Sequence, residues 1–509
     1  MRGRPPRANP SNEGVIPGEN TRDGGMGGRP GDAESLGMDI GIIGGGAAAV
    51  GLLDALAREA ETPGAVTVFE PSPHLWRGRP YAPDLDSVLV NAPPVIMSIR
   101  EGDFEHYASW LGAGDDAYVD PGIGRPLVPR ARYGEYLEHT AEKAIADLRE
   151  RGWQADVVPA PVVGAAHAAG RLALRTGDGR EHVVGQVALC VGGGTPHDHY
   201  RLDGAPGFVG DPYPLARTLD DVPPDSDVAV IGSGLTAVDV VVSLAARGHT
   251  GRISLLSRTG MLPHVWQRPT AHRPQHLTVE RVGALARDGE IALDHLAGLL
   301  REEMSDAGED LDALIADLRA ARTEDPVARL RRQIAAITAP EIGRRVLQTA
   351  AHTVGPFAWR LLPERDRDRL RAQARTAISV ASPMIPTNAV RLLQLFDAGQ
   401  LELLAGVRDI TRDDGRFAVE TAHGGRHADV VVNAVNPSPH AVPASAAGLA
   451  DDLVGMGVAA RHPSGGLLPA DPRMHLVGDL AGGGPFITSS IPGLAVQGAA
   501  AARAVLAGP

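Results

Sequence analysis

The sequence predicts an α/β protein with two parallel-stranded units and a separate block of helices. An apolar strand, a glycine-rich turn, a helix and a second strand follow one another from Asp39, and again from Asp227. Residues 279–376 show instead the i, i+3, i+4 spacing of amphipathic helices. The chain has 509 residues, whereas one hydrophobic core stops growing at roughly 250–300 residues. We therefore expect more than one domain.

The composition argues against several functional classes. The formal net charge is −13, so no basic surface is available for nucleic acid or anionic lipid. Cys190 is the only cysteine, which excludes an intrachain disulfide and a thiolate metal site. No histidine spacing indicates a metal ligand set, and no apolar run reaches the ~20 residues that cross a bilayer. We expect a cytoplasmic protein without metal, nucleic-acid or membrane partners.

The first 37 residues differ from the rest of the chain. Residues 1–37 are rich in Gly, Pro, Arg and Asp and have almost no apolar periodicity, so they are predicted to be a disordered extension. The first βαβ unit follows, with strand DIGIIGG, helix AAAVGLLDALAREA and strand AVTVFE. This alternation is typical of a doubly wound parallel sheet.

The turn after the first strand has the spacing of a dinucleotide-binding fingerprint. Gly44 permits the tight turn, Gly46 lets a pyrophosphate approach the backbone, and Ala49 allows close packing of the helix. The N–H groups that open the helix attract phosphate. Glu70 ends the second strand, where a carboxylate can accept hydrogen bonds from ribose hydroxyls. The predicted contacts are Gly44, Gly46, Ala47, Ala48, Ala49 and Glu70.

A second fingerprint, in the unit that begins at Asp227, has the same glycine spacing, but its closing strand ends in different residues. Its closing strand finishes at Ser257 and Arg258 rather than at a carboxylate. A carboxylate would repel a 2′-phosphate, whereas an arginine can bind one through two hydrogen bonds. This unit is therefore predicted to bind NADPH. The predicted contacts are Gly232, Ser233, Gly234, Leu235, Thr236, Ser257 and Arg258.

Two unlike fingerprints indicate two dinucleotides, one bound permanently and one exchanging. The usual arrangement is FAD on the first unit and a nicotinamide coenzyme on the second. Near the C-terminus, a strand leads into Gly478, Asp479 and a glycine-rich turn, and a helix begins near Pro492. Asp479 is predicted to accept hydrogen bonds from the ribityl hydroxyls of FAD, and the helix dipole to face the flavin.

The order of these segments predicts two Rossmann-like domains, with the NADPH domain inserted into the FAD domain, and a helical insertion. The predicted flavin segment at Gly478 and Asp479 follows the nicotinamide unit along the chain. The FAD domain must therefore be interrupted by the NADPH domain. The helical block is predicted to be a lid at the substrate site. The predicted boundaries are 1–37 for the extension, 38–222 and 441–509 for the FAD domain, 223–278 and 377–440 for the NADPH domain, and 279–376 for the helical insertion.

Three longer blocks of the sequence resemble those of a known protein family. They are GRPYAPDLDSVLVNAPPVIMSIREGDFEHYASWL, LVPRARYGEYL and VIGSGLTAVDVVVSLAARGHTGRISLLSRTGMLP. From Asp39 onward the chain resembles the FAD/NAD(P)-binding proteins related to the bacterial YdhS group, although GRPYA shortens their usual glycine-rich turn. The resemblance implies FAD contacts from Tyr81, Asn91, Met97 and Ser98, and a fold similar to that of flavin-dependent N-monooxygenases.

Some actinobacterial proteins of this group look like the aspartate N-oxygenases that form nitrosuccinate in natural-product pathways. The resemblance thus implies an NADPH- and FAD-dependent monooxygenase, in which NADPH reduces the flavin and a C4a-hydroperoxide oxygenates an amine. Its partners would be O₂ and a small amino acid such as L-aspartate, and a homodimer is compatible with the sequence. Carboxylates of such a substrate require arginines. The candidates are Arg79, Arg100, Arg268 and Arg391.

Two other functions stay open at this point. One is an FAD-dependent NAD(P)H dehydrogenase or reductase that passes electrons to an acceptor without inserting oxygen. The other is a redox-sensing or scaffold protein that holds FAD only as a structural group. Two measurements distinguish these functions from the monooxygenase. They are the reduction of the flavin by NADPH and the fate of the electrons in air.

Overall fold

The computed structural model describes residues 38–508 except 113–115, 271, 322, 423, 485–486 and 488–489. The predicted disordered extension, residues 1–37, lies outside the described residues. The elements that precede the second fingerprint are β1 (Met38–Ile43), α1 (Ala47–Glu59), β2 (Gly64–Phe69), α2 (His106–Leu111), β3 (Val119–Asp120), β4 (Arg125–Pro126), α3 (Arg130–Glu150), β5 (Gln154–Val158), β6 (Val162–Ala168), β7 (Arg171–Thr176), β8 (Glu181–Val184), β9 (Gln186–Leu189), β10 (Phe208–Val209) and α4 (Leu215–Thr218).

The remaining elements begin with the second βαβ unit, continue through the helical block and end in a return to strands. The second unit and the helices are β11 (Val228–Ile231), α5 (Leu235–Ala246), β12 (Ile253–Ser257), α6 (Val279–Leu285), α7 (Leu293–Asp306), α8 (Leu311–Ala320), α9 (Pro326–Ala335), α10 (Gly343–Thr353), α11 (Gly355–Leu361), α12 (Glu364–Arg371), α13 (Ala374–Ala381) and α14 (Pro386–Asp397). The last part contains β13 (Leu401–Ala405), β14 (Val407–Asp413), β15 (Arg416–Thr421), β16 (Gly424–Ala428), β17 (Val430–Asn433), α15 (Ala447–Gly455), β18 (Ala459–Arg461), β19 (Leu467–Pro469), β20 (Met474–Leu476) and α16 (Ile491–Ala507).

The first sheet is parallel, has five strands and takes them from both ends of the described chain. Its order is β20-β9-β1-β2-β5. Ile40 at the centre pairs with Val66 on β2 and with Gln186 on β9. The central strands are buried on both faces, which is why they read as continuous apolar runs. Because β20 pairs with β9, the C-terminal segment returns to the first unit.

Helices α1 and α16 cover this sheet and approach each other closely. A Cβ built on Gly498 of α16 would lie 2.7 Å from the carbonyl carbon of Gly51 and from the backbone nitrogen of Leu52 on α1. Only glycine permits so short a separation between two helix backbones. The contact places the C-terminal helix directly against the helix that opens the first fingerprint.

The second sheet is also parallel and five-stranded, with the order β10-β17-β11-β12-β13. Val230 at its centre pairs with Leu255 on β12 and Val432 on β17. The strand β10 precedes residue 223, so this sheet takes one short strand from the stretch assigned by sequence to the first domain. The two sheets confirm the predicted α/β fold with two Rossmann-like units.

The helical block extends from α6 to α13 and has a small apolar core of its own. That core includes Val282, Leu299, Val346 and Ala358. Side chains cap three of its helices, α6, α8 and α9; at the start of α9, Asp325 accepts a hydrogen bond from the Ala328 N–H. The next helix, α14, joins the core of the second sheet instead. Within the described residues, no helix is both long and apolar enough to cross a membrane.

Candidate functional site

The first fingerprint turn lies at the carboxyl end of β1. Gly44 has φ +100°, and a Cβ there would lie 2.6 Å from the carbonyl oxygen of Cys190. Gly46 is the N-cap of α1, which has neither a side-chain cap nor an acidic residue in its first turn. The N–H groups from Ala47 to Ala49 and the positive end of the helix dipole are therefore directed to the sheet edge, as an anion site requires.

Glu70 is fixed beside this turn at the end of β2. Its Oε2 accepts the Gly45 N–H at 2.7 Å, and its Oε1 accepts the Ser72 N–H at 2.8 Å. Each carboxylate oxygen has a further lone pair. The side chain is thus oriented by the backbone and retains the capacity to accept hydroxyl groups.

Asp479 is brought to the same edge by β20. A Cβ on Gly193, just after β9, would lie 3.4 Å from Asp479 Oδ2. Gly478 has φ +96°, and its N–H donates to Gln497 Oε1 on α16 at 2.8 Å. A Cβ there would lie 3.6 Å from the Cβ of Ala48 on α1. The ends of β1, β9 and β20 therefore surround one position, although they are distant in sequence.

The four residues implied by the family resemblance have unlike surroundings. Asn91 Oδ1 is buried without a hydrogen-bond partner in the described part of the chain. The ring of Tyr81 packs on Tyr133, with centroids 4.6 Å apart, and burial raises the pKa of Tyr81 to about 12. Met97 and Ser98 are buried, and the Ser98 hydroxyl donates to the carbonyl of Asp103 at 2.5 Å. Asn91 is thus the member whose side chain has an unused polar atom.

The second fingerprint turn repeats the first at the carboxyl end of β11. Gly232 has φ +117°, and a Cβ there would lie 3.0 Å from the carbonyl oxygen of Ala434. Gly234 is the N-cap of α5, again without a side-chain cap or an acidic residue in the first turn. A Cβ on Gly234 would meet no atom within 4 Å. The N–H groups of Leu235 and Thr236 therefore open onto free space.

The residues near the end of β12 have different roles. Ser257 is buried; its Oγ lies 3.1 Å from Ser233 Oγ and accepts the Gly260 N–H at 3.0 Å. Its hydroxyl therefore shapes the turn. Arg258 is exposed. Burial first, and then His197 and the Arg258 charge, lower the pKa of His199, so these three side chains lie near one another.

The carboxyl edges of the two sheets meet at His440. This residue follows β17 of the second sheet, is buried and has φ +62°. Its Nδ1 lies 3.0 Å from the carbonyl oxygen of Asp479, and its Nε2 lies 3.2 Å from that of Gly484. The loop that follows β17 is thereby fastened to the turn that follows β20.

Side chains of the helical block, and Trp266 in the segment before it, contact this region, and sequence reasoning missed the roles of His352, Trp359 and Ser490. Trp266 Nε1 donates to the carbonyl of Asn91 at 2.7 Å. His352 Nδ1 lies 3.0 Å from the hydroxyl of Ser490, the N-cap of α16. Trp359 Nε1 donates to the carbonyl of Gly483 at 2.6 Å. Only Ser490 had a local signal, because a serine followed by proline at the second helical position is typical of a helix start.

Two of the candidate substrate arginines are bound to carboxylates of the protein. Arg79 forms an ion pair with Asp211, and its guanidinium lies 5.2 Å from the ring centroid of Tyr213. Arg100 donates from Nη2 to Asp54 Oδ1 on α1 at 2.7 Å. Both guanidinium groups therefore have a structural partner.

Of the other two candidates, Arg268 is exposed and Arg391 is half-buried, and both bond to backbone carbonyls. Arg268 Nε donates to the carbonyl of Gly122 at 2.7 Å. Arg391 Nη2 donates to the carbonyl of Ala245 at 3.4 Å. The structure thus places the four candidate arginines in four separate environments. In the described ranges, no three His, Cys, Asp or Glu side chains form a potential metal site.

A buried cluster connects the first unit to helix α5. The Arg130 guanidinium lies 2.6 Å from Asp239 Oδ2 and donates to the Tyr213 hydroxyl at 2.9 Å. The Tyr213 hydroxyl donates to the same carboxylate oxygen at 2.5 Å. Asp239 is 0% exposed, and burial raises its pKa against the opposing charge of Arg130. These three side chains are called the Arg130 triad below.

Comparisons with known proteins agree with this geometry. Residues 41–194 match a family model described as FAD-NAD(P)-binding. No curated protein sequence matches the chain. Among solved structures, the L-lysine 6-monooxygenase from Pseudomonas syringae is 15% identical with a TM-score of 0.56, covering 92% of this chain and 99% of that chain. The chain has the fold of this monooxygenase.

Two further solved structures show the same fold. The ornithine hydroxylase from Pseudomonas aeruginosa is 15% identical with a TM-score of 0.55, covering 92% of this chain and 99% of that chain. A cadaverine monooxygenase of desferrioxamine biosynthesis from Erwinia amylovora, bound to FAD, is 12% identical with a TM-score of 0.57, covering 92% and 93%. The similarity to the three structures therefore extends over most of this chain and of each of theirs.

Proposed function

We propose that the protein is an NADPH- and FAD-dependent monooxygenase that N-oxygenates the amine of a small amino acid such as L-aspartate. The junction at His440 gives the strongest support. It joins the carboxyl edge of one sheet to that of the other, and each edge has a dinucleotide-type turn. Hydride transfer from a nicotinamide to a flavin requires two dinucleotide sites that open onto each other.

The residues at the first turn fit FAD. The uncapped start of α1 would hold its pyrophosphate, and Glu70 would accept the ribose hydroxyls. Asp479 would accept the ribityl hydroxyls. The Oδ1 of Asn91, which is buried without a partner in the described part of the chain, would accept a hydrogen bond from the cofactor. When bound, FAD supplies the two-electron reduction and the activation of O₂.

The residues at the second turn fit NADPH. The uncapped start of α5 would hold the pyrophosphate, as at the first turn. The exposed Arg258, with His199 nearby, would bind the 2′-phosphate. Ser257 would contribute only by fixing the turn, because its hydroxyl is already hydrogen-bonded.

The helical block would keep water out of the reaction space. Its contacts through His352 and Trp359 join it to Ser490 and Gly483 beside the first unit, and Trp266 in the segment before it bonds to Asn91. The overall reaction uses two electrons from NADPH and one proton. One atom of O₂ enters an N–H bond of the substrate to give a hydroxylamine, and the other leaves as water.

The choice of an amine substrate has two further supports. The three similar structures are named for lysine, ornithine and cadaverine, each of which presents a primary amine. The sequence resemblance to aspartate N-oxygenases suggests a shorter, more acidic substrate. Both supports are comparisons of sequence and fold, so product analysis has to decide the substrate.

The first experiment follows electrons and oxygen in the purified protein. We expect bound FAD, bleaching by NADPH under nitrogen, and an ¹⁸O-labelled N-hydroxy or more oxidised product from L-aspartate under ¹⁸O₂. L-Lysine, L-ornithine and cadaverine are assayed in parallel. If NADPH bleaches the FAD and the electrons then reach an acceptor without any labelled product, the result would favour the reductase alternative. FAD that NADPH does not bleach would favour a structural flavin and contradict the proposal.

The second experiment tests the assignment of the coenzyme. Loss of one charge-assisted hydrogen bond costs about 1.5–3 kcal/mol, so Arg258→Gln should raise the KM for NADPH at least about tenfold. The KM for NADH should change little. Arg247→Gln, which removes another surface arginine near its partner Asp220, serves as the control. Equal effects on NADPH and NADH would show that Arg258 does not bind the 2′-phosphate.

A further inference from the structure

One face of helix α10 carries polar side chains toward the segment that contains Trp266. Arg344, Gln348 and His352 are spaced four residues apart and therefore lie on one side of the helix. Gln348 is 0% exposed, and its Nε2 lies 3.5 Å from the carbonyl oxygen of Val265. His352 is satisfied by Ser490 and by the carbonyl of Ala381. The other two side chains are not fully satisfied.

Three buried polar atoms in this region have no hydrogen-bond partner among the described residues. They are Arg344 Nη1, Gln348 Oε1 and His264 Nε2. His264 is 1% exposed, and its Nδ1 lies 2.8 Å from the Ser379 hydroxyl. That hydroxyl donates to the carbonyl of Leu262 at 3.3 Å, so Nδ1 carries the proton of the neutral ring and Nε2 is an acceptor. Unsatisfied polar atoms are uncommon in protein interiors, and three in one region indicate a missing ligand.

The charge in this region is positive. Arg329 is 2% exposed, and its guanidinium bonds only to the carbonyls of Leu262 and Ala321 among the described residues. Arg344 is half-buried and has no ion pair within that part of the chain. Burial lowers its pKa, and the charge of Asp317 opposes this shift. The charges of Arg329 and Arg344, after burial itself, lower the pKa of His264 to about 3. A buried guanidinium nitrogen without an acceptor is unfavourable, so an anion is the expected partner of Arg344 Nη1.

We propose that Arg344, His264 and Gln348 bind a small amino acid, with Arg344 on its carboxylate and His264 Nε2 and the Gln348 carbonyl oxygen on its amine. A guanidinium is a donor that suits a carboxylate, whereas an unprotonated imidazole nitrogen and an amide oxygen suit an N–H. The proposal rests on the N-oxygenation proposed above for the choice of an amino acid. The four arginines selected from the sequence do not supply this site, because each is engaged elsewhere.

The position is consistent with a substrate site. Trp266, two residues beyond His264, bonds to Asn91 in the first unit. Along α10, His352 lies about 12 Å beyond Arg344, from a rise of about 1.5 Å per residue, and it bonds to the N-cap of α16. One helix face thus runs from the unpaired arginine to the helix that packs against the first fingerprint.

The test measures ligand binding by the full-length protein, without turnover. The probes are L-aspartate, L-glutamate, succinate and cadaverine. L-Aspartate or L-glutamate should raise the Tm of the wild type, succinate should raise it less, and cadaverine should not raise it. Arg344→Gln should weaken the binding of the preferred amino acid at least tenfold. Arg331→Gln, which removes a surface arginine paired with Asp397, should retain it.

The unliganded variants separate a binding arginine from a structural one. Without ligand, Arg344→Gln should have an unchanged or higher Tm, because a buried guanidinium nitrogen without an acceptor is removed. A clear loss of Tm without ligand would make Arg344 structural and overturn the proposal. Gln348→Leu provides a second measurement. This variant should bind the amino acid more weakly, whereas its affinity for succinate, which has no amine, should change little. The proposal is also overturned if none of the carboxylate probes raises the Tm of the wild type. It is overturned as well if Arg344→Gln binds the amino acid as tightly as the wild type does.

Parallel assays distinguish this inference from the proposed function. If L-aspartate binds through Arg344 but does not stimulate NADPH-dependent oxygenation, the site stands and the N-oxygenation fails. If cadaverine is oxygenated and Arg344→Gln has no effect on its turnover, the monooxygenase stands and the amino-acid site fails.

Discussion

Removing the cation of the Arg130 triad should destabilise the protein strongly. In Arg130→Met, the carboxylate of Asp239 stays fully buried but loses the guanidinium at 2.6 Å. Only the Tyr213 hydroxyl then remains among its described side-chain partners. Breaking one side of a buried ion pair costs about 3–5 kcal/mol, and we expect a loss of that size in the free energy of unfolding. Tyr213→Phe removes a hydrogen bond to charged groups and should cost about 1.5–3 kcal/mol.

The double variant tests the reason for this loss. Arg130→Met combined with Asp239→Leu removes both charges, so it should be less destabilised than Arg130→Met alone. The single variant should also recover stability as the pH falls. Its buried carboxylate has a pKa above the unfolded value, so protonation favours the folded state at pH values below that raised pKa.

Urea denaturation of the wild type, both single variants and the double variant provides the measurement. A cost below about 1 kcal/mol for Arg130→Met would mean that the pair contributes little. Additive losses in the double variant would show that the unpaired carboxylate is not the cause. Either result would refute the reasoning. The result also bears on the proposed function, because Asp239 belongs to α5, the helix that follows the second fingerprint turn.

Three further predictions concern packing, pH and reactivity. Gly498→Ala should cost about 1–3 kcal/mol of unfolding free energy, because its Cβ would meet the backbone of α1 at 2.7 Å. Gly298→Ala, with open space in α7, should add about 0.5–1 kcal/mol, and equal effects in denaturation would contradict this. Because the pKa of His264 falls from 6.5 to about 3, only the unfolded state takes up that proton between these values. Unfolding free energy should therefore fall as the pH drops through the window, by up to about 1.36 kcal/mol per pH unit. His264→Asn should show a shallower slope, and an unchanged slope would exclude this origin. Burial raises the pKa of the Cys190 thiol, so iodoacetamide at pH 8 should label it only after unfolding; rapid labelling of the native protein would contradict the buried position.

The local sequence contained the information for both fingerprint turns. Gly44 and Gly232 have positive φ angles, and Gly46 and Gly234 are N-caps, as their spacing predicts. Strand and helix periodicities are local properties, so these units could be identified without knowledge of the remaining fold. The order of segments also predicted that the C-terminal strand returns to the first sheet.

The chain alone thus determined the fold class, the two glycine turns and the acidic groups at the strand ends. The tertiary structure decided which polar atoms are used and which are left over. Ser98 and Ser257 have hydroxyls that bond to the protein itself, whereas Asn91 and Arg344 retain unpartnered buried atoms among the described residues. No sequence pattern distinguishes these cases, because hydrogen-bond satisfaction depends on atoms brought together from distant segments. Arg344 resembles any helical arginine until α10 is packed against the segment around His264.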